Sequence, residues 1–291
     1  METGQPPELR ASAGAALTRR TFVVTAAAGV FAACSRAPSV TFGVQSYSFR
    51  DRPLDDAIAG MQKLGLKSCE LWQGHIEPRN IPRDEMRRWR ETIELDMFRR
   101  VREKFATASI ALSAYNISFN DSFSDTEIER GFEMAKALGA PVITSSSNVK
   151  TAARIAPVAA RHKMLVGMHN HSRIDPNEFA TAKSLIEALA HGPFIAINLD
   201  IGHFTAANED AVAFLQQHHD RIVTIHLKDR KRNEGPNLPF GSGDTPIVPV
   251  LKLLNDTGWP IPANIEYEYK GGDSVDEVGK CLDYCRRALE A

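Results

Sequence analysis

The chain has 291 residues, 43% hydrophobic, 24% charged and 8% aromatic, with 35 Lys+Arg against 36 Asp+Glu and a formal net charge of −1. That apolar content excludes a disordered chain, and the length provides a sizeable core for one large α/β barrel or for two ordinary domains. The neutral balance lacks the basic field of a phosphate-backbone binder, so nucleic acid is not an expected partner. The four cysteines (Cys34, Cys69, Cys281, Cys285) make neither a disulfide scaffold nor a Cys-x-x-Cys zinc motif.

Residues 1–39 read as an export signal and short linker. Thr18-Arg19-Arg20-Thr21-Phe22 is a basic segment carrying a twin-arginine pattern, and an uncharged, Ala-rich stretch from Thr25 to Ala33 follows it. The apolar run of about 12 residues is shorter than the roughly 20 that span a bilayer, which disfavours a permanent transmembrane anchor. Phe31-Ala32-Ala33-Cys34 resembles a lipoprotein cleavage box with Cys34 as the lipidated residue, although Phe31 stands where Leu is usual. Ordinary cleavage near Ala33 or Ala37 fits equally well. The expected location is the periplasm, with a lipid anchor at Cys34 as a further option.

From Val40 onward, short apolar or β-branched runs alternate with amphipathic segments, and no low-complexity linker divides them. The predicted strands are 40–49, 68–72, 110–119, 141–145, 164–171, 194–200, 222–228 and 263–269. The predicted helices are 54–64, 83–108, 126–138, 149–162, 177–190, 210–219, 248–255 and 274–289. Leu64-Gly65 and Leu138-Gly139 mark helix ends. Eight such units define an α/β fold, a (β/α)8 TIM barrel over residues 40–291. A doubly wound open sheet would need a Gly-rich turn after its first strand, and Gln45-Ser46-Tyr47-Ser48 is not one.

Polar residues fall late in these strands, where barrel active sites lie. Strand alternation sends Leu165, Gly167, His169 and His171 inward, and likewise Asn264, Glu266 and Glu268, leaving Ile265, Tyr267 and Tyr269 to the helix layer. The last four strands thus end in His169-Asn170-His171, Asp200-x-x-His203, His226-x-Lys228-Asp229 and Glu266-Tyr267-Glu268. Imidazoles and carboxylates converging on one rim are the ligand types of a single divalent transition metal: Mn, Fe, Co or Zn. A hydrogen-bonded polar residue at a strand end is the ordinary reading of any one of them, but four successive strands ending this way favour a site.

On Asp200-x-x-His203, His226-x-Lys228-Asp229 and Ile265-Glu266-Tyr267-Glu268, the chain resembles the xylose isomerase-like TIM barrels, which include sugar phosphate isomerases and epimerases, ketose 3-epimerases, inosose dehydratases and endonuclease IV. The likeness covers about residues 40–290. It implies Asp200, His226 and Glu266 as metal ligands and His203 as a substrate-binding group. The family's fourth ligand is usually a Glu on the fifth strand, and here that position is His169. In the family's epimerases two metal-bound glutamates exchange a proton from opposite faces of the sugar through an enediolate. With His169 in place of one, Glu266 or Glu268 becomes the base on one face, and His169 or His171 serves as ligand, acid or second base. Such a site suits isomerisation, epimerisation, or β-elimination and hydration of a keto sugar.

Around the mouth, Glu70, Trp72 and His75 offer hydrogen bonds and an aromatic face to a sugar, with His171, His203 and Lys228 as further substrate-binding groups. Ordinary packing is the alternative for Trp72, and an ion pair with a neighbouring acid is the alternative for Lys228. Asn116 is near the mouth without an assigned direction. Lys231–Gly243 is long enough for a lid, and a passive surface loop fits it at least as well. The Arg/Glu-rich run Arg87–Lys104 reads as a solvated helix face, and Cys281 and Cys285 as packing on the barrel.

The expected function is an exported, metal-dependent sugar isomerase or epimerase-like enzyme with a small-molecule carbohydrate substrate. A lyase or hydratase on the same scaffold and a non-catalytic periplasmic sugar-binding lipoprotein are the alternatives. An endonuclease IV-like phosphodiesterase is disfavoured by the missing second Asp-x-His pair and by charge. A homo-oligomer is compatible with this architecture, since such barrels often associate.

Overall fold

The computed structural model describes Met1 and residues 40–290, so the export segment, Arg19-Arg20 and Cys34 lie outside the described residues. Eight parallel strands close a barrel. In chain order they are β1 (Phe42–Gln45), β2 (Ser68–Trp72), β3 (Ala111–Asn116), β4 (Val142–Ser145), β5 (Leu165–His169), β6 (Ile195–Asp200), β7 (Ile222–Leu227) and, after a small hairpin of β8 (Asp229–Arg230) and β9 (Asn237–Leu238), β10 (Ala263–Ile265). Pairing of β1 with β10 closes the ring. The helical layer comprises α1 (Leu54–Lys63), α2 (Arg83–Thr92), α3 (Asp96–Thr107), α4 (Asp125–Leu138), α5 (Val149–His162), α6 (Ala182–Leu189), α7 (Ile201–Ala206), α8 (Ala211–His218), α9 (Ile247–Thr257) and α10 (Ser274–Glu290). The expected barrel is the observed one.

Local chemistry explains several boundaries. Ser124 and Glu127 form a reciprocal capping box at the start of α4, and Gly139 ends it in the left-handed region at φ 72°. Several elements differ from the sequence-based expectation: β1 ends at Gln45 instead of Phe49, α7 has no expected counterpart, and four others depart as follows. The single helix expected over 83–108 is broken: Ile93 turns extended at ψ 135°, and the Arg130 guanidinium takes up the freed carbonyls of Arg90 and Ile93. The helix expected from 177 starts at Ala182, where Thr181 and Ser184 cap each other and Phe179 is buried in the loop before them. The last strand ends at Ile265, since Ser48 and Arg50 take the Tyr267 backbone N–H and carbonyl. The expected lid after β7 is a pinned hairpin, whose Gly241, Gly243 and Thr245 N–H groups donate to the Asp229 carboxylate.

Apolar strand residues such as Val44, Leu71, Val166, Ile197, Ile225 and Ile265 are buried against the helices. Cys281 and Cys285 are buried free thiols on α10, and burial pushes Cys281 up to about 12, as expected of packing residues. Inside the barrel the layer beneath the mouth is polar instead of branched aliphatic: Gln45, Glu70, Thr144, Asn198, Thr224 and Asn264 are all buried. Two ladder irregularities, at Cys69/Glu70 and Ile197/Asn198, adjust how residues of this layer meet.

Candidate metal centre and cavity

At the C-terminal ends of β5, β6 and β7 and just beyond β10, His169, Asp200, His226 and Glu266 each direct one donor atom to a common point, all within 4.8 Å of one another. All four residues are buried. Nδ1 of His169, Oδ2 of Asp200, Nδ1 of His226 and Oε2 of Glu266 have no hydrogen-bond partner. Glu266 Oε2 lies 3.0 Å from His226 Nδ1, an ion-pair distance without hydrogen-bond alignment. Asp200 Oδ2 and Glu266 Oε2 also lie at ion-pair distance from the Lys228 ammonium, 3.0 and 2.9 Å, again without an aligned hydrogen bond. Buried polar atoms are normally hydrogen-bonded, so four that are not, gathered on one point, fit a cation held by two imidazoles and two carboxylates. These are the four residues expected from the sequence.

His226 and Asp200 are held from behind, and Lys228 sits beside the two carboxylates. His226 Nε2 lies 2.8 Å from Glu70 Oε2. Asp200 caps α7 by accepting the His203 N–H at 2.6 Å, and Asn170 accepts the Asp200 N–H at 2.9 Å. The Lys228 ammonium reaches Asp200 at 3.0 Å, Glu266 at 2.9 Å and Glu268 at 2.7 Å. Gly202 makes the α7 start possible here, since a Cβ would meet the Lys228 carbonyl at 2.6 Å.

The charges follow from this packing. Burial, reinforced by His226 and His171, holds His169 well below the ordinary imidazole range, so it is a neutral donor. Burial opposes the charge on His226, but Glu70 and Glu266 outweigh it and hold that ring well above its ordinary value. Burial likewise opposes the charge on Lys228, and Asp200, Glu266 and Glu268 keep it protonated. Glu266 is held well below the usual carboxylate range, because Lys228 and His226 overcome its desolvation. Burial and the Lys228 charge push His203 down.

Above this centre lies a cavity of about 320 Å³, at the lower end for small-molecule sites. Trp72, His169, His171, His203, His226, Lys228, Glu266 and Glu268 line it, as expected. Tyr47 and Trp72 stand edge to face with centroids 4.9 Å apart. His203 is held between Lys228 Nζ at 3.0 Å and the Arg230 guanidinium at 2.6 Å.

Two expected substrate-binding residues sit elsewhere. Glu70 is 0% exposed and below the cavity, because its position in β2 places it in the interior layer and five side-chain donors engage it there. His75 turns away to Ser46 Oγ and the Phe49 carbonyl, at 3.1 and 3.2 Å, and borders a separate surface pocket. Sequence reasoning missed Gln45, Tyr47, Ser118 and Ser146 on the cavity wall, together with Arg230 behind His203; Asn116, left unassigned, lines it too. The rule that singled out the late strands, polar residues at strand ends, also applies to Gln45 and Tyr47.

An eight-stranded parallel barrel whose C-terminal mouth gathers buried imidazoles and carboxylates able to hold a metal ion is the class these observations define. Residues 58–288 match the family model described as xylose isomerase-like TIM barrel, and the chain belongs to that family. L-ribulose-5-phosphate 3-epimerase UlaE of Escherichia coli is 28% identical over 118 residues, 38% of this chain and 42% of the relative, so the match spans less than half of that protein. The structure of 3-keto-D-glucoside 4-epimerase YcjR of E. coli superimposes with a TM-score of 0.64 over 85% of this chain and 99% of its own, at 13% identity. That of the IOLI protein with a zinc atom does so with a TM-score of 0.65 over 86% and 99%, at 14% identity. At such identities these two structures show a shared fold.

Proposed function

We propose that this protein is a divalent-metal-dependent enzyme that moves a proton on the carbon beside a sugar carbonyl, in the manner of an isomerase or epimerase. The observation that carries this reading is the set of four buried donor atoms that converge without aligned hydrogen bonds at the floor of an aromatic and polar cavity. Relatives named as epimerases support it. His169, Asp200, His226 and Glu266 would hold the ion, and this mixed set suits Mn, Fe, Co or Zn. When bound, such a cation polarises a carbonyl and steadies negative charge developing on its oxygen.

The chain's own groups then divide the remaining work. Glu266 belongs to the convergent set, whereas Glu268 lies on the cavity wall, aimed by its ion pair with Lys228. Glu268 is therefore the base that removes the carbon-bound proton. Lys228 faces the cavity as a fixed cation that can hold a sugar oxygen. His171 and His203 bind hydroxyls, and Tyr47 and Trp72 cover the sugar's C–H face.

A lyase or hydratase is the second reading. Glu268 is the one carboxylate lining the cavity outside the ligand set, among the described residues, and a single base on one face suits proton removal followed by loss of a β-leaving group. Elemental mass spectrometry of residues 35–291, followed by NMR in deuterated water with a panel of ketoses and 3-keto glycosides, tests both. About one metal per chain with deuterium entering an intact sugar supports the isomerase reading. Ultraviolet absorption from an unsaturated keto sugar selects the lyase. Absence of metal after reconstitution, with sugar binding unaffected by chelation, overturns both in favour of a binding protein.

We also propose that residues 1–39 direct export by the twin-arginine route to the periplasm, supported by Arg19-Arg20 ahead of an uncharged stretch. Replacing both arginines by lysine should leave the protein in the cytoplasmic fraction. Mass spectrometry of the Cys34 peptide reads whether that residue is lipidated.

A further inference from the structure

The carboxylate of Glu70 ties five other strands together from inside the barrel. Its Oε1 accepts from Gln45 on β1 at 3.0 Å, Thr144 on β4 at 2.6 Å and Asn198 on β6 at 3.4 Å, while its Oε2 accepts from Asn264 on β10 at 3.0 Å. The remaining contact, from Oε2 to His226 Nε2 at 2.8 Å on β7, reaches the candidate metal centre. A neutral imidazole has one lone pair and can present it on one nitrogen only. Placing it on Nε2 would set it against a carboxylate lone pair at 2.8 Å, so Nε2 carries the proton. The Asn198 amide nitrogen, 3.1 Å from the same Nε2, would donate to a lone pair there and so favours the opposite tautomer, but the charged carboxylate is the closer and stronger partner and outweighs a neutral amide. In the neutral ring that a bound ion requires, the proton displaced is therefore the one on Nδ1, the atom that is buried without a hydrogen-bond partner and points to the centre, and the lone pair is left there.

We propose that Glu70 is a positioning residue for the metal centre. It fixes the ring orientation and tautomer of His226, presents Nδ1 to the ion, and holds a negative charge beneath it. The inference rests on the metal reading above and extends it to a residue that touches neither substrate nor ion. A carboxylate behind a ligating histidine raises the basicity of the ring, and loss of such a partner typically weakens metal binding about 10–100-fold.

The alternative is a purely structural keystone, and Thr144→Val separates the two. That variant removes the 2.6 Å hydrogen bond to the same carboxylate and leaves His226 untouched. We expect the Zn²⁺ dissociation constant, measured by chelator competition, to rise about 10–100-fold in Glu70→Gln and to change less than about threefold in Thr144→Val, whatever each does to the melting temperature. Equal Zn²⁺ affinity in wild type and Glu70→Gln, or equal losses in both variants, would overturn the proposal. Long-range ¹H–¹⁵N NMR of the zinc-loaded wild type decides the matter even if Glu70→Gln fails to fold. The expected result is metal on Nδ1 and a proton on Nε2 of His226, and the reverse assignment rejects the role. A wild-type chain that takes up no Zn²⁺ or Mn²⁺ overturns the metal reading itself, and this one with it.

Discussion

The barrel contains two buried ionic networks that differ in one respect. In the helical layer, Arg90 grips Glu77 with two nitrogens at 2.9 and 2.7 Å and reaches Glu127 at 3.2 Å, while Glu127 also accepts from Arg83 and from the Ser124 backbone N–H. Every carboxylate oxygen there has a donor. At the mouth, Lys228 pairs with Asp200, Glu266 and Glu268, yet the oxygens it reaches on Asp200 and Glu266, and one nitrogen each of His169 and His226, have no aligned hydrogen bond. Both networks carry the desolvation cost of buried charge, but in the first every acceptor has a donor and the partnerless atom, Arg83 Nη1, is a donor at its edge, whereas the second leaves acceptors without one. An open network sustained inside a folded core marks groups that await a ligand, and this separates a site from a brace better than burial or charge alone.

Substitutions at the open network should change metal content before stability. Asp200→Ala and Glu266→Ala are each expected to bring bound metal to background in elemental mass spectrometry. Asp200→Ala should cost about 1 kcal/mol of stability besides, from the lost α7 cap. Bound metal unchanged in both variants would erase the contrast. Glu268→Gln should keep the metal and slow solvent deuterium exchange into substrate about 10²–10⁴-fold. Undiminished exchange would move the base elsewhere.

The closed network should show the converse. Arg90→Met leaves Glu77 buried without its cation, Glu127 keeping Arg83, and should cost about 3–5 kcal/mol in denaturant unfolding, with metal content per folded chain unchanged. The smallest effect concerns acid. The Glu127 carboxyl lies below its ordinary value because Arg83, the Ser124 N–H and Arg90 outweigh its desolvation. Its contribution is therefore complete above the unfolded-state value of about 4.3 and is lost as pH falls through the lower folded-state value. Thermal unfolding followed from pH 6 to pH 3 should drop less steeply in Glu127→Gln than in wild type, and equal slopes would count against the assignment.

The barrel and its four convergent residues were legible because apolar runs recur with helical segments between them and the last four strands end in imidazoles and carboxylates: the runs gave the strands, and those ends gave the site. The break at Ile93 was not legible, because Arg and Glu continue at helical spacing through 87–104 and the Arg130 contact that stabilises the break is remote in sequence. α7 is too short for a periodic signal. Glu70 was correctly read as inward-facing, but alternation says nothing about height along the barrel axis. Height is set by register against β1 and β3 and by the irregularity at Cys69/Glu70, all of which are properties of the neighbouring strands.

The Glu70–His226 hydrogen bond joins residues 156 positions apart, one in the first four strands and one in the last four. The two halves of this barrel are therefore not interchangeable parts. A chimaera that takes its first four strands from another barrel could restore closure and every apolar contact, yet it would orient His226 only if the donor half brings a carboxylate to this height. Recombination among such barrels is constrained by a single interior residue as well as by the visible active-site rim, and ancestral or designed half-barrel fusions of this protein should be selected on position 70 first.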